Sequence, residues 1–153
     1  MRTGVRLALD VGSVRIGVAR SDATGMLAVP LDAIRAGDVA VAAVVGLVRE
    51  WDALEVYVGL PLHMDGREGA ASERARTWAQ ALSSEIDVPV RLVDERLSTV
   101  QAQRALHAGG RSTRQSRSLI DSASAVMVLQ SVLEAESGTG KVPGDLVLGD
   151  DGA

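Results

Sequence analysis

The chain has 153 residues, 46% of them hydrophobic, a size and composition that fit one globular domain with a single core. It has no cysteine, which excludes disulfides, thiolate metal sites and cysteine nucleophiles, and no apolar run approaching the ~20 residues that span a bilayer, so a cytoplasmic protein without membrane contact is expected. The net charge of −4 is carried by acids from Glu134 onward, which leaves the body of the chain neutral and does not exclude a nucleic-acid partner.

Val5 to Leu9 and Ile16 to Ala19 alternate apolar residues around Asp10-Val11-Gly12-Ser13, where Gly12 permits the positive φ of a tight hairpin, so the spacing predicts two antiparallel strands. Ala28 to Ile34 is a third strand, placed at a sheet edge by Pro30. Asp38 is positioned to cap a helix with Val41, Val44, Val45 and Val48 at helical spacing, and Leu54 to Leu60 reads as a buried strand. Pro61 to Gly69 is too glycine-rich to be regular, and Ala70 to Ser84 has a helix-favouring composition. Val90 to Val93 is the fifth strand, followed by the acidic pair Asp94-Glu95 and a capping box of Ser98 with Gln101 that opens a short helix to about His107. Ser118 to Glu136 is the last helix; Ser137 to Ala153, with five glycines, is expected to be a disordered acidic tail, leaving 1–136 as the folded domain. The order β-β-β-α-β-α-β-α-α predicts an α/β fold with a mixed five-stranded sheet, an antiparallel meander continuing into parallel strands, and helices on both faces. This resembles the ribonuclease H-like arrangement, in which the first strand is central and ligands gather at the carboxyl ends of that strand and its parallel neighbour.

Asp10 closes the first strand, Asp94-Glu95 the fifth, and Asp121 lies in the last helix with Ala125, Val128 and Val132 following it along one apolar stripe. An unpaired charge in such places is costly, and a divalent cation joining the acids accounts for all of them. Oxygen ligands without cysteine point to Mg²⁺ or Mn²⁺, and two such ions about 4 Å apart can activate an in-line water and neutralise the leaving oxygen of a phosphodiester. Each acid has a plainer reading: Asp10 as a turn residue, Asp94 or Glu95 as the salt-bridge partner of Arg96, and Asp121 as an acid in the first turn of a helix capped by Ser118. Strand alternation sends Asp94 and Glu95 to opposite faces, so Glu95 is preferred as the direct ligand, with Asp94 as an indirect or substitute one. His63 and His107 lie in no nucleophile motif, there is no P-loop, and the three aromatics Trp51, Tyr57 and Trp78 build no stacking platform. Nucleic acid would therefore be held through its backbone, for which Arg91, Arg96, Arg104, Arg111, Arg114 and Arg117 offer a basic stretch; for the arginines alone a solvated, salt-bridged face is an equal alternative, and their adjacency to the acids favours the first.

Four blocks, Leu9 to Ala19 with Ser21-Asp22, Val58 to Gly66, Asp94-Glu95-Arg96-Leu97-Ser98-Thr99 and Ile120 to Ala125, together resemble the YqgF family of ribonuclease H-fold nucleases, described as pre-16S rRNA processing nucleases and Holliday-junction-resolvase-like proteins. The resemblance implies that Asp10, Glu95 and Asp121 are the catalytic metal ligands, that Arg15 lies near substrate, and that Gly59, Pro61 and Gly66 shape a loop beside the site. Val14 and His63 stand where many members carry lysine and asparagine, which bears on substrate contacts rather than on chemistry. The implied activity is metal-dependent phosphodiester hydrolysis in 5′-end processing of pre-16S rRNA, with a resolvase acting on branched DNA, or an assembly factor with little turnover, as alternatives. A nucleotide-binding module of the actin and sugar-kinase type is a further class, because Asp10 to Ser13 resembles its first phosphate loop, but the chain offers no second domain or loop to close around a nucleotide. The last helix, apolar around much of its circumference through Val126, Met127, Leu129 and Val132, suggests a homodimer.

Overall fold

The computed structural model describes residues 2–97 and 113–148, with side chains at 2–96 and 122–148. The capping box at Ser98 and the helix to His107 lie outside them. Strands β1 (Arg6–Val11), β2 (Arg15–Ser21) and β3 (Ala28–Arg35) form the antiparallel meander; α1 (Ala40–Glu50) leads to β4 (Glu55–Leu60), and α2 (Ala70–Ser83) to β5 (Val90–Asp94). A single 3-10 turn, Glu95–Leu97, follows β5, and the long helix α3 spans Thr113–Thr139.

The sheet order is β3-β2-β1-β4-β5-β6, where β6 is Asp145–Leu146, with β1 antiparallel to β2 and parallel to β4, and β4 parallel to β5. The first strand is thus central and Pro30 stands on an edge strand, where its missing N–H is harmless. Alternation along the strands divides the core. Leu7, Leu9, Ile16, Val18, Val56, Val58 and Leu92 pack under α1 and α2, and Ala8, Ala19, Tyr57 and Val93 pack under α3. Small residues on the second face allow α3 to lie close, and it buries Ala125, Val126, Val128, Leu129, Val132 and Leu133 there.

Several expectations are corrected. The segment read as a disordered tail extends α3 to Thr139 and then pairs Asp145–Leu146, as β6, antiparallel to β5, so the sheet has six strands rather than five. Gly144 makes that return possible: φ is +89°, and a Cβ there would stand 2.8 Å from the Leu92 carbonyl oxygen. The residue before α1 is Val39 rather than Asp38, and no side chain caps that helix. Gly12 has no positive φ; it is needed because its N–H donates to the Arg15 carbonyl at 3.0 Å, where a Cβ would come within 2.6 Å of that oxygen. Of the apolar residues of α3 that suggested a homodimer, Val126, Leu129 and Val132 are buried against the chain's own sheet, while Met127 is half-buried. Among the described residues, no helix is long and apolar enough to cross a membrane.

Candidate active site

Asp10 is the last residue of β1 on the α3 face, because Ala8 faces α3 while Leu9 and Val11 face the other helices. By the same alternation Gly59 follows Tyr57 on the α3 face of β4, and Glu95 follows Val93 as the chain leaves β5. Three adjacent strands thereby bring Asp10, Gly59 and Glu95 together at their carboxyl ends. The Glu95 carboxyl group is pushed up to about 8, first by burial and then by hydrogen bonding with Asp10 and the charges of Asp10 and Asp94. Its Oε1 is buried without a hydrogen-bond partner, among the few such atoms of the described residues. The carboxylate lies over Gly59, so close that a Cβ on that residue would be 3.2 Å from Oε1.

Asp94 has a different fate. It points to the other face and holds Arg96 bidentately, Nε to Oδ1 at 3.0 Å and Nη2 to Oδ2 at 2.7 Å, while Oδ1 also accepts the Arg96 backbone N–H at 2.9 Å. Hydrogen bonding to Arg96 keeps the Asp94 carboxyl group below the ordinary carboxylate range. Arg96 Nη1 also donates to the Met64 carbonyl at 3.3 Å, which ties the loop after β4 to the turn carrying Glu95. Arg96 is thus engaged with protein groups rather than held out toward a ligand.

The remaining expected residues divide by what the structure describes. Arg15 is exposed at the start of β2, beside the tight turn at Gly12. Asp121 lies on α3 directly before Ser122, whose Oγ accepts the Val18 N–H at 3.1 Å and donates to the Leu31 carbonyl at 2.7 Å. Gly17, next to Val18, is the ladder partner of Asp10, so Ser122 pins this turn of α3 beside the strand segment that faces Asp10. The side chains of Asp121, Arg114 and Arg117 lie outside the described residues, as do Arg104 and Arg111 altogether. Among the described residues no group of three or more acids or histidines is placed to hold a metal; Asp10 and Glu95 approach as a pair. Two residues went unread as parts of this site, Ser122 and, in its relation to Glu95, Gly59. A glycine inside the otherwise apolar run of β4 is the signal that points to a close approach.

A mixed sheet of this order, with acids converging at the carboxyl ends of its central strands, defines a ribonuclease H-like nuclease. T. thermophilus RuvC in complex with Holliday junction substrate shares the fold at a TM-score of 0.62 and 15% identity, covering 94% of this chain and 99% of that one. The family model for the Holliday junction resolvase RuvX matches residues 4–135, and the chain belongs to that family, also called YqgF. Its relatives include a protein of Thermobifida fusca, 48% identical over 157 residues with 97% of this chain and 99% of the other covered, and one of Clavibacter michiganensis, 47% identical over 150 residues with 96% and 93% covered. Both carry the name "Putative pre-16S rRNA nuclease".

Proposed function

We propose that this nuclease hydrolyses phosphodiester bonds of precursor 16S rRNA with divalent cations held by Asp10 and Glu95, and that Asp121 completes the ligand set from α3. The observation that carries this reading is the Asp10–Glu95 pair itself. Two carboxylates placed side by side repel unless a cation joins them, and the buried Glu95 oxygen without a hydrogen-bond partner is a donor atom that such a cation would take. The donor set is all oxygen, which suits Mg²⁺ or Mn²⁺. Such ions supply an activated water and stabilise the oxyanion of an in-line displacement, in a two-metal arrangement.

The chain's own contribution is preorganisation. Asp10 is fixed on the central strand, Glu95 is held by its turn through the Asp94–Arg96 clamp, and the backbone at Asp121 is anchored by Ser122. Arg15 and the basic stretch through Arg104, Arg111, Arg114 and Arg117 supply charge for the phosphate backbone. Precursor rRNA is favoured as substrate by the names of relatives that align over nearly the whole chain. Branched DNA is the second reading, favoured by the family description and by the complex of the structural neighbour.

The test is cleavage of precursor rRNA and of four-way junctions with Mg²⁺ and with Mn²⁺. The wild type should cut the rRNA, and Asp10→Asn and Glu95→Gln should each lose about 4 kcal/mol of transition-state stabilisation, roughly a thousandfold in rate. Turnover that survives both substitutions would refute the assignment. Salt-sensitive RNA binding without any cleavage would leave an assembly factor in its place.

A further inference from the structure

Gly59 stands in the middle of the sheet, on a strand flanked by β1 and β5, and every residue of β4 is buried. Such a position ordinarily takes a β-branched or aromatic residue, because glycine weakens a strand interior and fills no space in the core. Its φ lies outside the left-handed region, so the backbone does not demand glycine. The space does. A Cβ on Gly59 would meet Glu95 Oε1 at 3.2 Å and, farther off, Glu95 Cγ at 3.6 Å and Val128 Cγ2 of α3 at 3.5 Å. The last two distances are ordinary contact; only the carboxylate oxygen is crowded, and it is the same oxygen that has no hydrogen-bond partner.

We propose that Gly59 is a positioning residue of the metal site, its missing side chain forming the recess that lets the Glu95 carboxylate lie flat on the sheet beside Asp10. This rests on the reading of Asp10 and Glu95 as cation ligands. A methyl group at residue 59 displaces the oxygen outward along the short side chain of Glu95, away from Asp10, while the strand gains a residue better suited to it. Metal affinity and the stability of the metal-free chain then move independently, a separation that a general packing defect would not produce.

The experiment titrates the full chain with Mn²⁺ alone by calorimetry and melts the metal-free protein, for the wild type, Gly59→Ala, Glu95→Gln, Asp10→Asn, Glu95→Asp and the double variant Gly59→Ala with Glu95→Asp. Gly59→Ala should bind Mn²⁺ about tenfold more weakly, equivalent to about 1.4 kcal/mol, with no loss of melting temperature. The same change made on Glu95→Asp should weaken binding much less, since the shorter acid withdraws from the recess. Wild-type affinity in Gly59→Ala, or an equal loss on both backgrounds, overturns the proposal. A lowered melting temperature that Glu95→Asp does not relieve also overturns it, since the clash would then lie with Val128. If neither Glu95→Gln nor Asp10→Asn weakens Mn²⁺ binding, the ligand assignment fails; if both do and Gly59→Ala does not, the recess alone fails.

Discussion

At Gly12 a single methyl group has nowhere to go. The atom that a Cβ would strike, 2.6 Å away, is the Arg15 backbone oxygen that the Gly12 N–H itself holds at 3.0 Å, so the turn cannot yield without losing that bond. Gly12→Ala should therefore cost about 1–3 kcal/mol, as overpacking does elsewhere, read as a lower urea midpoint, and an unchanged midpoint would show that the turn accommodates a side chain. The sequence marked this residue as special but assigned the wrong cause, because close backbone approach and positive φ leave the same trace in a chain. Asp94 and Glu95 were more legible. Period-two alternation alone separates their faces, and the structure gives Asp94 to Arg96 and brings Glu95 to Asp10. What alternation does not convey is that Arg96 also reaches the Met64 carbonyl, a contact between segments 32 residues apart.

Helix α3 is seated on the sheet by polar contacts as well as apolar ones. Ser122 bonds β2 and β3, Gln130 accepts the Ala28 N–H at 2.9 Å and donates to the Met26 carbonyl at 3.1 Å, and Glu136 meets Arg2 and Arg6. Ser122 answers a local fault: the β2–β3 register shifts between Ile16 and Val18, and the Val18 N–H is satisfied from the helix. Ser122→Ala would leave the buried Val18 N–H without the Ser122 acceptor and take the hydroxyl donor from the half-buried Leu31 carbonyl, and should destabilise the chain by about 2 kcal/mol. Because the preceding residue is Asp121, the same substitution should lower cleavage in folded protein; full activity at reduced stability would separate the anchor from the site. The helix itself was legible from its apolar stripe, although it begins at Thr113 and ends at Thr139, beyond both ends read from composition. Strand β6 was not legible. Two residues in a glycine-rich acidic segment carry no periodicity, and their strand state comes from β5 offering an open edge, with Val147 N–H bonding the Val90 carbonyl at 2.8 Å.

The whole molecule places two charge clusters at opposite ends of one sheet. At the carboxyl ends of the central strands, Asp10 and Glu95 face each other. At the other end Glu55 and Glu136, both buried, are surrounded by Arg2, Arg6 and Arg91, with the Tyr57 hydroxyl also donating to Glu55. Burial alone would push the Glu55 carboxyl group up, but the hydrogen bonds from Arg2 and Tyr57 and the charges of Arg2 and Arg91 hold it below its ordinary value of 4.5; the Arg2 hydrogen bond does the same for Glu136. Carboxyl groups depressed in the folded state bind more protons when unfolded, so the stability they contribute is present above about pH 4.5 and is lost as pH falls below it. Urea midpoints measured from pH 7 to pH 3 should therefore drop for the wild type once pH passes below 4.5. Glu136→Gln should start lower at pH 7, by roughly 3 kcal/mol, because Arg6 keeps its buried charge after losing its carboxylate, and should then fall less steeply, having one fewer depressed acid to protonate. Equal slopes for the two proteins would show that the acid transition is driven elsewhere in the chain, and that this cluster anchors the N-terminal residues to α3 without setting the pH dependence of the fold.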